Sequence, residues 1–343
     1  MNNWEYFKDY WKKMVCFFDC DPAYPAMNYI CDRLELNIEQ RYWMSFLYGC
    51  TYSAPAVYYI MNEFPDYENV NVKRLQKWWN KNKNKVVFQS DRAKVKNFNQ
   101  FVPAFESYQK LIGGSQRDAF SKFFSIKDLK SRYDSVYEFT SDLWYFGRFS
   151  LFNYLECLSE LTDLSMDASS LYLQEAESCR NGLCYACGRL DMVTLHHNLP
   201  KSPIDYNFLE EKLFQLYNEL KVENPEIPVT YFNIETVLCA FKKLFWETRY
   251  LGYYIDRFFE ELSVLNNNVS DGVEWSILWD FRKEFFNPFF LAEIRHYNGI
   301  RKERGKLFNR YGTFFGPFEK IPKTPEYRHK IKFPSIGDVY SVT

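Results

Sequence analysis

Glycine is scarce in this chain, at 13 of 343 residues, and no glycine-rich phosphate loop is present. Neither GxxxxGK[ST] nor GxGxxG occurs, which excludes two common nucleotide sites and predicts that no cofactor is bound. No apolar run reaches the about 20 residues that span a membrane. The N-terminal run MNNWEYFKDYWKKM is amphipathic and lacks the apolar core of a secretory signal. We therefore expect a soluble protein of the cytoplasm.

Nine cysteines at irregular spacing indicate reduced thiols, as in a cytosolic protein. Cys179, Cys184 and Cys187 precede the pair His196 and His197. Their CxxxxCxxC order, followed by histidine after eight residues, is not a known zinc-binding pattern. We predict buried thiols and no metal, with a zinc site as the alternative.

Aromatic residues make up 20% of the chain and supply material for a large core. Apolar residues recur at helical spacing along most of the sequence, and those at 234–262 predict one long helix, whereas residues 86–89 resemble a short strand. This pattern predicts a mainly α, multi-helical fold with few short strands. We expect one catalytic domain over residues 1–343, a subdivision near the connector 198–205, and an irregular, proline-rich tail at 312–343.

The net charge of −1 conceals two basic segments. Residues 73–96 hold nine Lys or Arg and one acidic residue, a net charge of +8. Residues 281–343 hold thirteen basic and six acidic residues, a net charge of +7, so the remainder carries −16. Two basic segments on an acidic protein are typical of one that binds a polyanion locally. The alternative is two solvated stretches of surface.

Two arginines mark the central part of the chain. Arg148 precedes an apolar helical stripe, and Arg180 lies in the segment 178–182, whose Asn-Gly step favours a turn because both residues tolerate positive φ. Arginines held by a helix start and a tight turn suit an anionic substrate. The alternative for Arg148 is an ordinary ion pair with Asp142 or Glu156.

Carboxylates near the first apolar helix are candidates for a general base. Asp19 and Asp21 lie at the helix end, and a carboxylate in partly apolar surroundings has a raised pKa. Their alternative role is to end the helix, since Asp before Pro is common there. Asp91 and Arg92 follow the strand-like segment beside a basic loop, where polar residues are well placed for a site.

Further basic and aromatic residues suit contacts with nucleic acid. Arg33 and Arg41, on consecutive predicted helices, match phosphate oxygens, and Tyr42 is suited to stacking on a base. Their alternatives are surface ion pairs and core packing. The run 295–306 interleaves basic residues with Tyr, Asn and Gly, which suits a nucleic-acid backbone or a pyrophosphate. Its alternative is a solvated helix end.

Five sequence runs occur in one order: FFDCDPAYPAMNYICDRLELNIEQRYWMSFLYGCTY, NEFPDYENV, FQSDRAKVK, FGRFSLFNYLECL and SCRNGLCYACGR. Together they resemble the phage α-glutamyl/putrescinyl thymine pyrophosphorylases, also called amino acid:DNA transferases. The resemblance extends over residues 17–306. Each run alone is short, and the order of the whole set makes the resemblance specific.

The resemblance implies a step in thymine hypermodification. A separate kinase pyrophosphorylates 5-hydroxymethyluracil in DNA, and an amine, either an amino acid or a polyamine, then replaces pyrophosphate at the methylene carbon. The implied partners are double-stranded DNA that carries this base, the amine and, functionally, the kinase. The implied place of action is the cytoplasm of an infected bacterium. The implied fold is helical, like that of some DNA glycosylases.

The implied chemistry assigns roles to the candidate residues. Arginines stabilise the departing pyrophosphate, aromatic side chains receive a base that leaves the stack, and a carboxylate takes the amine proton. The expected leaving-group clamp is Arg148 with Arg180, and Asn181 is expected to bond the base edge. The expected general base is one of Asp19, Asp21 and Asp91. The remaining candidates are expected to contact DNA or pyrophosphate: Arg33, Arg41, Tyr42, Arg92, Lys94, Arg301, Lys302 and Arg304.

Two other classes of protein remain open at this point. A DNA glycosylase-like hydrolase would excise a modified base with water as the nucleophile, and a non-enzymatic protein would only bind DNA. A glycine-rich hairpin between two helices would favour the hydrolase, and residues 111–114, LIGG, match it faintly. Release of pyrophosphate from modified DNA in the presence of an amine distinguishes the transferase from both.

Overall fold

The computed structural model describes residues 2–88, 95, 99–194, 199–246, 248–269 and 272–311. Within these residues the chain forms helices and no strand, so the predicted mainly α fold is confirmed. Fifteen α-helices have described bounds: α1 Asn3–Cys16, α2 Ala23–Arg33, α3 Ile38–Thr51, α4 Ala54–Glu63, α5 Val72–Asn82, α6 Phe101–Ile112, α7 Gln116–Ser121, α8 Leu129–Thr140, α9 Arg148–Leu161, α10 Glu177–Ala186, α11 Tyr206–Glu223, α12 Tyr231–Phe245, α13 Tyr253–Asn268, α14 Ser276–Phe285 and α15 Ile300–Tyr311. Short 3₁₀ turns lie at Tyr67–Asn69, Leu190–Met192, Pro288–Phe290 and Ile294–His296.

The chain divides into two compact units, each built from separate stretches of sequence. The first unit contains the described residues of 2–22, 170–257 and 286–311. The second contains those of 23–169 and 258–285. The border between residues 257 and 258 falls inside α13. The expected single catalytic domain with a subdivision near 198–205 stays a prediction.

Helices α10 and α12 pack closely in the first unit, and α1 contacts both. A glycine in α10 permits this approach, because a Cβ on Gly182 would lie 2.0 Å from the carbonyl oxygen of Leu238. On the α1 side, the rings of Phe7 and Phe241 meet edge to face with their centres 5.2 Å apart. Both rings are fully buried, so they form part of the core of this unit.

In the second unit, α3 packs against α9 around a cluster of aromatic rings. The ring of Phe46 stacks on that of Tyr108 at 4.0 Å and on that of Phe146 at 5.5 Å. A Cβ on Gly49 would lie 2.8 Å from both Phe146 and Tyr154, so glycine allows the two helices to approach. The abundant aromatic residues of the sequence are therefore used largely for packing.

Two local predictions from the sequence are wrong. Residues 178–182, expected to form a turn, lie inside α10, and residues 86–88 of the expected strand do not form one. Residue 89 of that segment lies outside the described residues. The Asn-Gly step stays helical because α10 packs directly on the backbone of α12 at Gly182, and this contact overrides the local turn preference.

No helix in the described part of the chain combines the length and the apolar character needed to cross a membrane. The proline-rich segment 312–343 lies outside the described residues.

We expect Gly182→Ala to destabilise the fold by about 1–3 kcal/mol, because the added methyl group would overlap the Leu238 carbonyl and separate α10 from α12. Thermal unfolding followed by circular dichroism measures the change. Gly114→Ala is the matched control, since a Cβ there meets no atom within 4 Å. Equal melting temperatures for the two variants would contradict the close helix contact.

Candidate functional site

The helical segment is interrupted between α12 and α13. This interruption brings charged and tyrosine side chains of the first unit together. The helix expected at 234–262 is therefore wrong as a single helix: α12 ends at Phe245 and α13 begins at Tyr253. Gly252 lies at the break with a φ of +94°, and a Cβ there would lie 2.5 Å from the ring of Phe290. Glycine adopts this conformation without the steric strain that other residues meet.

Asp19 is fully buried and fixes the start of α13. Its carboxylate accepts hydrogen bonds from the backbone N–H groups of Gly252 at 2.7 Å, Tyr254 at 2.8 Å and Ile255 at 3.2 Å. The first N–H groups of a helix have no partner within the helix. Asp19 supplies that partner from a position 233 to 236 residues away in the sequence.

Burial is the main reason that the pKa of the Asp19 carboxyl rises to about 7, and the nearby Asp256 adds to the rise. The three backbone N–H groups act in the opposite direction, because they stabilise the ionised form. A pKa near neutrality suits a general base. The enclosed position of Asp19 and its three amide contacts suit a structural carboxylate, so the expected catalytic role stays a prediction.

A second buried carboxylate, Asp256, lies in the first turn of α13. It accepts a hydrogen bond from the Tyr250 hydroxyl at 2.6 Å, and it forms an ion pair with Arg304 at 2.7 Å. Arg304 also donates to the carbonyl oxygen of Phe290 at 2.7 Å, and its side chain is only 1% exposed. These contacts connect α13 to α15. The expected contact of Arg304 with DNA stays a prediction, and the buried ion pair does not favour it.

Two arginines meet at the half-buried side chain of Tyr253, and we call these three residues the arginine–tyrosine cluster. The guanidinium carbon of Arg249 lies 3.7 Å from the ring centre, and that of Arg301 lies 5.4 Å away. Arg301 donates to the Tyr253 hydroxyl at 2.9 Å, and Arg249 donates to the Thr248 carbonyl oxygen at 2.8 Å. Two planar guanidinium groups around one ring are suited to an anion with several oxygens.

Arg249 keeps donor capacity that its described neighbours do not use. Its buried Nε has no hydrogen-bond acceptor among the residues that the structure describes. Within the same residues, no carboxylate lies within ion-pair distance of its guanidinium group. A cation in this state is suited to an external anion, so the arginine–tyrosine cluster is the candidate site for a phosphate-bearing group.

Arg180 and Asn181 are buried in α10 and make structural contacts within the first unit. The Arg180 guanidinium donates to the carbonyl oxygens of Leu173 at 2.9 Å and Gln174 at 3.0 Å, and to the Thr194 hydroxyl at 3.3 Å. The Asn181 amide donates to the Thr194 carbonyl at 2.7 Å and accepts from its N–H at 3.1 Å. These contacts hold two loops against α10. The expected catalytic roles of both residues stay predictions.

Arg148 begins α9 in the second unit. Its side chain is half-buried, and the guanidinium carbon lies 5.2 Å from the centre of the Phe152 ring, one turn further along the helix. Its place at a helix start agrees with the sequence analysis. Its expected role at the leaving group stays a prediction.

Arg33 and Arg41 form ion pairs in the second unit. Arg33 contacts Glu284 at 2.9 Å, and Arg41 contacts Asp32 at 2.9 Å. These contacts match the alternative of surface ion pairs, which contribute little stability. The expected DNA contacts of both arginines stay predictions.

Tyr42 is fully buried, and its contacts match the alternative of core packing. Its ring stacks on that of Phe120 at 5.4 Å, and its hydroxyl donates to Asp163 at 3.0 Å. Burial, helped by the charge of Asp163, raises the pKa of the Tyr42 hydroxyl far above its usual value. The stacking role expected for Tyr42 stays a prediction that this burial does not favour.

The remaining candidates fall into two groups. Asp91, Arg92 and Lys94 lie outside the described residues. Asp21 is half-buried after α1, and Lys302 is exposed on α15. Their roles also stay predictions.

All nine cysteines are free thiols. Burial raises the pKa of Cys184 to about 11 and that of Cys187 to about 12, so both thiols stay protonated near neutral pH. In the described stretches, no three His, Cys, Asp or Glu side chains are grouped to hold a metal ion. His196 and His197 lie outside those stretches, so the expected absence of zinc stays a prediction.

The comparison with protein families decides the class of protein. The sequence model of the family described as amino acid:DNA transferase matches residues 18–250. The chain belongs to the amino acid:DNA transferase family. It is therefore a transferase that adds an amino acid to DNA, and the resemblance and enzyme class predicted from the sequence are confirmed. The matched segment includes Arg249 of the transferase and ends just before Tyr253.

A curated relative supports the same family for this transferase. It is similar to a serinyltransferase of Salmonella phage ViI, with 28% identity over 297 residues that cover 81% of this chain and 72% of the phage protein. No solved structure matches the transferase significantly.

Of the arginine–tyrosine cluster of the transferase, sequence reasoning proposed Arg301 and missed Arg249 and Tyr253. The run 247–257, ETRYLGYYIDR, continues the helical spacing of apolar residues on both sides, and this periodicity concealed the break. The glycine within the run was the available signal, because an isolated glycine weakens a predicted helix. Arg249 and Tyr253 then fall at a helix start, where charged and polar side chains collect.

The raised pKa of Asp19 predicts a pH dependence of stability. Because the folded pKa of about 7 lies above the unfolded value of about 4, the carboxyl contributes fully below about pH 4 and loses its contribution as pH rises through 7. The free energy of unfolding of the parent minus that of Asp19→Asn should therefore fall between about pH 4 and about pH 7, by at most about 1.4 kcal/mol per pH unit, as measured by chemical denaturation at each pH. A difference that grows with pH would show that the three amides dominate.

Arg180→Ala should lower the free energy of unfolding by about 1–3 kcal/mol, because it leaves the buried carbonyl group of Leu173 and the partly buried one of Gln174 without their charged donor. Arg189→Ala is the matched control, because its partly exposed ion pair with Asp191 contributes little to stability. Chemical denaturation measures both. An Arg180→Ala variant with parental stability and a much lower transfer rate would instead support the catalytic role.

Proposed function

We propose that this transferase displaces pyrophosphate from 5-pyrophosphoryloxymethyluracil in DNA with the amine of an amino acid. The amine nitrogen forms a bond to the methylene carbon, and the bond from that carbon to the pyrophosphate oxygen breaks. The leaving pyrophosphate takes the electron pair, and the nitrogen loses a proton. The observation that carries the proposal is the amino acid:DNA transferase match over residues 18–250.

The name of the phage relative supports an amino acid, rather than a polyamine, as the nucleophile. The name serinyltransferase refers to the transfer of a group derived from serine, which is an amino acid. The similarity to this relative extends over most of both chains. An amino acid brings a carboxylate as well as an amine to the reaction. The site must then bind two anions, the amino acid carboxylate and the pyrophosphate, and arginine is the residue suited to both.

The arginine–tyrosine cluster supports the proposed departure of pyrophosphate. Arg249 has a buried donor that its described neighbours leave without an acceptor, and Arg301 lies on the same tyrosine. A positioned donor acts on charge that develops in the transition state, and partial burial strengthens its effect. The Nε of Arg180 also has no acceptor among the described residues, but Arg180 is less suited, because its side chain is buried and its other guanidinium nitrogens donate to backbone carbonyls and to a hydroxyl.

The amine must be deprotonated before it attacks, since it is protonated at neutral pH. Of the three expected bases, Asp19 is enclosed and bonded to three amides, whereas Asp21 is only half-buried. Asp91 lies outside the described residues. The contacts therefore support Asp21 over Asp19 among the two described carboxylates.

The proposed substrate requires an earlier reaction. The pyrophosphate must be attached to a hydroxymethyl group on the base, which is the work of a kinase that uses a nucleoside triphosphate. The absence of glycine-rich nucleotide loops in this sequence agrees with a separate protein for that step.

A direct assay tests the reaction. DNA that carries 5-pyrophosphoryloxymethyluracil is incubated with the protein and with amino acids or polyamines, each in turn, and the nucleosides are analysed by mass spectrometry. We expect one amino acid adduct per pyrophosphate released. Retention of pyrophosphate with every amine would overturn the proposal, and release of the free base would indicate a glycosylase-like hydrolase instead.

Arg249→Ala should lower the single-turnover rate of transfer about a hundredfold, as removal of one transition-state donor does in other enzymes. Arg249→Lys should restore part of the rate, because it returns the charge without the planar fork. Arg189→Ala is the matched control, since this partly exposed arginine of the first unit pairs with Asp191 and has no assigned role in the reaction. A parental rate for Arg249→Ala at saturating protein would remove the cluster from the reaction.

A further inference from the structure

Three lysines of the second unit form a row along the exposed side of α5. Lys73, Lys77 and Lys81 are spaced by four residues, so they lie one turn apart on the same helix face, and all three are exposed. No carboxylate among the described residues lies within ion-pair distance of these lysines, whereas the neighbouring Arg74 pairs with Glu63 at 2.6 Å. Like charges at this spacing destabilise a helix slightly. A polyanion would remove that repulsion.

An exposed tryptophan belongs to the same unit. Trp144 is 51% exposed. The flanking residues Leu143 and Phe146 are buried. Tyr145 has a φ of +63°, a backbone conformation that bulky residues rarely adopt. The chain is therefore held in a strained turn that presents the indole to solvent.

The indole is fixed in orientation by contacts with α6. Its Nε1 donates to the side-chain oxygen of Gln100 at 2.8 Å, and the backbone N–H of Trp144 donates to the Ser107 hydroxyl at 2.9 Å. An exposed aromatic ring that is already ordered loses little conformational entropy when a ligand stacks on it. These bonds use only the indole edge and the backbone, and the ring of Tyr145 lies beside the indole at 5.5 Å and a tilt of 50°, so about half of the side chain stays open for contact.

The tryptophan and the lysine row are connected by a short series of contacts. Helix α5 packs against α6, which begins just after Gln100. Lys83, which follows the row, donates to the side chain of Asn99 at 2.9 Å, and Asn99 directly precedes Gln100. Positive charges and a rigid exposed ring thus lie on adjoining elements of one unit. Proteins that bind a nucleic-acid strand use this combination of cations for phosphates and rings for bases.

We propose that Trp144 is the platform on which a nucleobase of the DNA substrate stacks, with the phosphates of the same strand bound by the lysine row. The inference rests on the DNA substrate of the proposed function, because the reacting base must leave the duplex to be reached. A planar base matches the indole face, and the strand phosphates match Lys73, Lys77 and Lys81. A protein partner would need an acidic surface with an aromatic-binding pocket and is an alternative outcome of the test.

Photo-crosslinking tests the contact directly. DNA that contains 5-iodouracil at one position and no pyrophosphorylated base is bound to the full chain and irradiated with long-wavelength ultraviolet light. The complex is then digested, and the crosslinked peptide is sequenced by mass spectrometry. Iodouracil couples to an aromatic ring that stacks on it, so we expect the crosslink at Trp144. A crosslink confined to other aromatic residues would overturn the proposal.

Affinity measurements separate stacking from charge. By fluorescence anisotropy, Trp144→Ala should bind DNA about 5- to 150-fold more weakly with an unchanged salt slope, because loss of one stacked base removes no phosphate contact. Trp144→Phe should recover part of the affinity. Lys77→Gln should instead reduce the salt slope by about one. Phe214→Ala, at an exposed ring on α11 of the first unit, is the control and should bind like the parent.

The outcomes are distinct from those of the transfer assay, since neither measurement needs the pyrophosphorylated base. A crosslink at Trp144 without transfer activity would support this inference and contradict the proposed reaction. Transfer activity with parental DNA affinity in a folded Trp144→Ala variant would do the opposite. Parental DNA affinity together with loss of binding to a protein with an acidic surface would assign Trp144 to a protein partner.

Discussion

One carboxylate holds the start of α13 in the first unit. Asp19 is enclosed by protein and occupies the three backbone N–H groups that open the helix. With those groups fixed, the side chains of the first turn have defined positions: Tyr253 faces two arginines, and Asp256 holds Arg304. The geometry of the arginine–tyrosine cluster therefore depends on a residue that contacts none of its charged groups directly. A carboxylate in this position acts through the backbone.

The arginines of this transferase serve two purposes that their sequence contexts do not separate. Arg180 and Arg304 are buried and donate to carbonyl oxygens or to a buried carboxylate, so they stabilise the fold. Arg249 is only half-buried, lies over a tyrosine ring and has no carboxylate within ion-pair distance among the described residues, which is the state suited to a ligand. Only the neighbours that tertiary structure brings from distant segments distinguish the two uses.

The sequence was sufficient for the fold class and the family, and it was insufficient for the site. Helical spacing of apolar residues survives in any folded context, and the ordered runs carry the family. The Asn-Gly step at 181–182 was misjudged because the backbone of α12 determines its conformation. Tyr42 was a candidate for base stacking with core packing as the alternative, and the sequence could not decide between them because its partner Phe120 lies 78 residues later. Burial of this kind depends on long-range contacts that a local pattern does not contain.

Both units are assembled from segments that are far apart in the chain, and this has a consequence for biosynthesis. The bonds from Asp19 to Gly252, Tyr254 and Ile255 close loops of 233 to 236 residues. During translation the carboxylate emerges long before its partners, so the first unit is incomplete while residues 23–169 of the second are already outside the ribosome. Long-range closure of this kind slows folding and prolongs the exposure of apolar surface. The nascent chain is rich in aromatic residues, so it exposes apolar surface of the kind that chaperones of the cell bind.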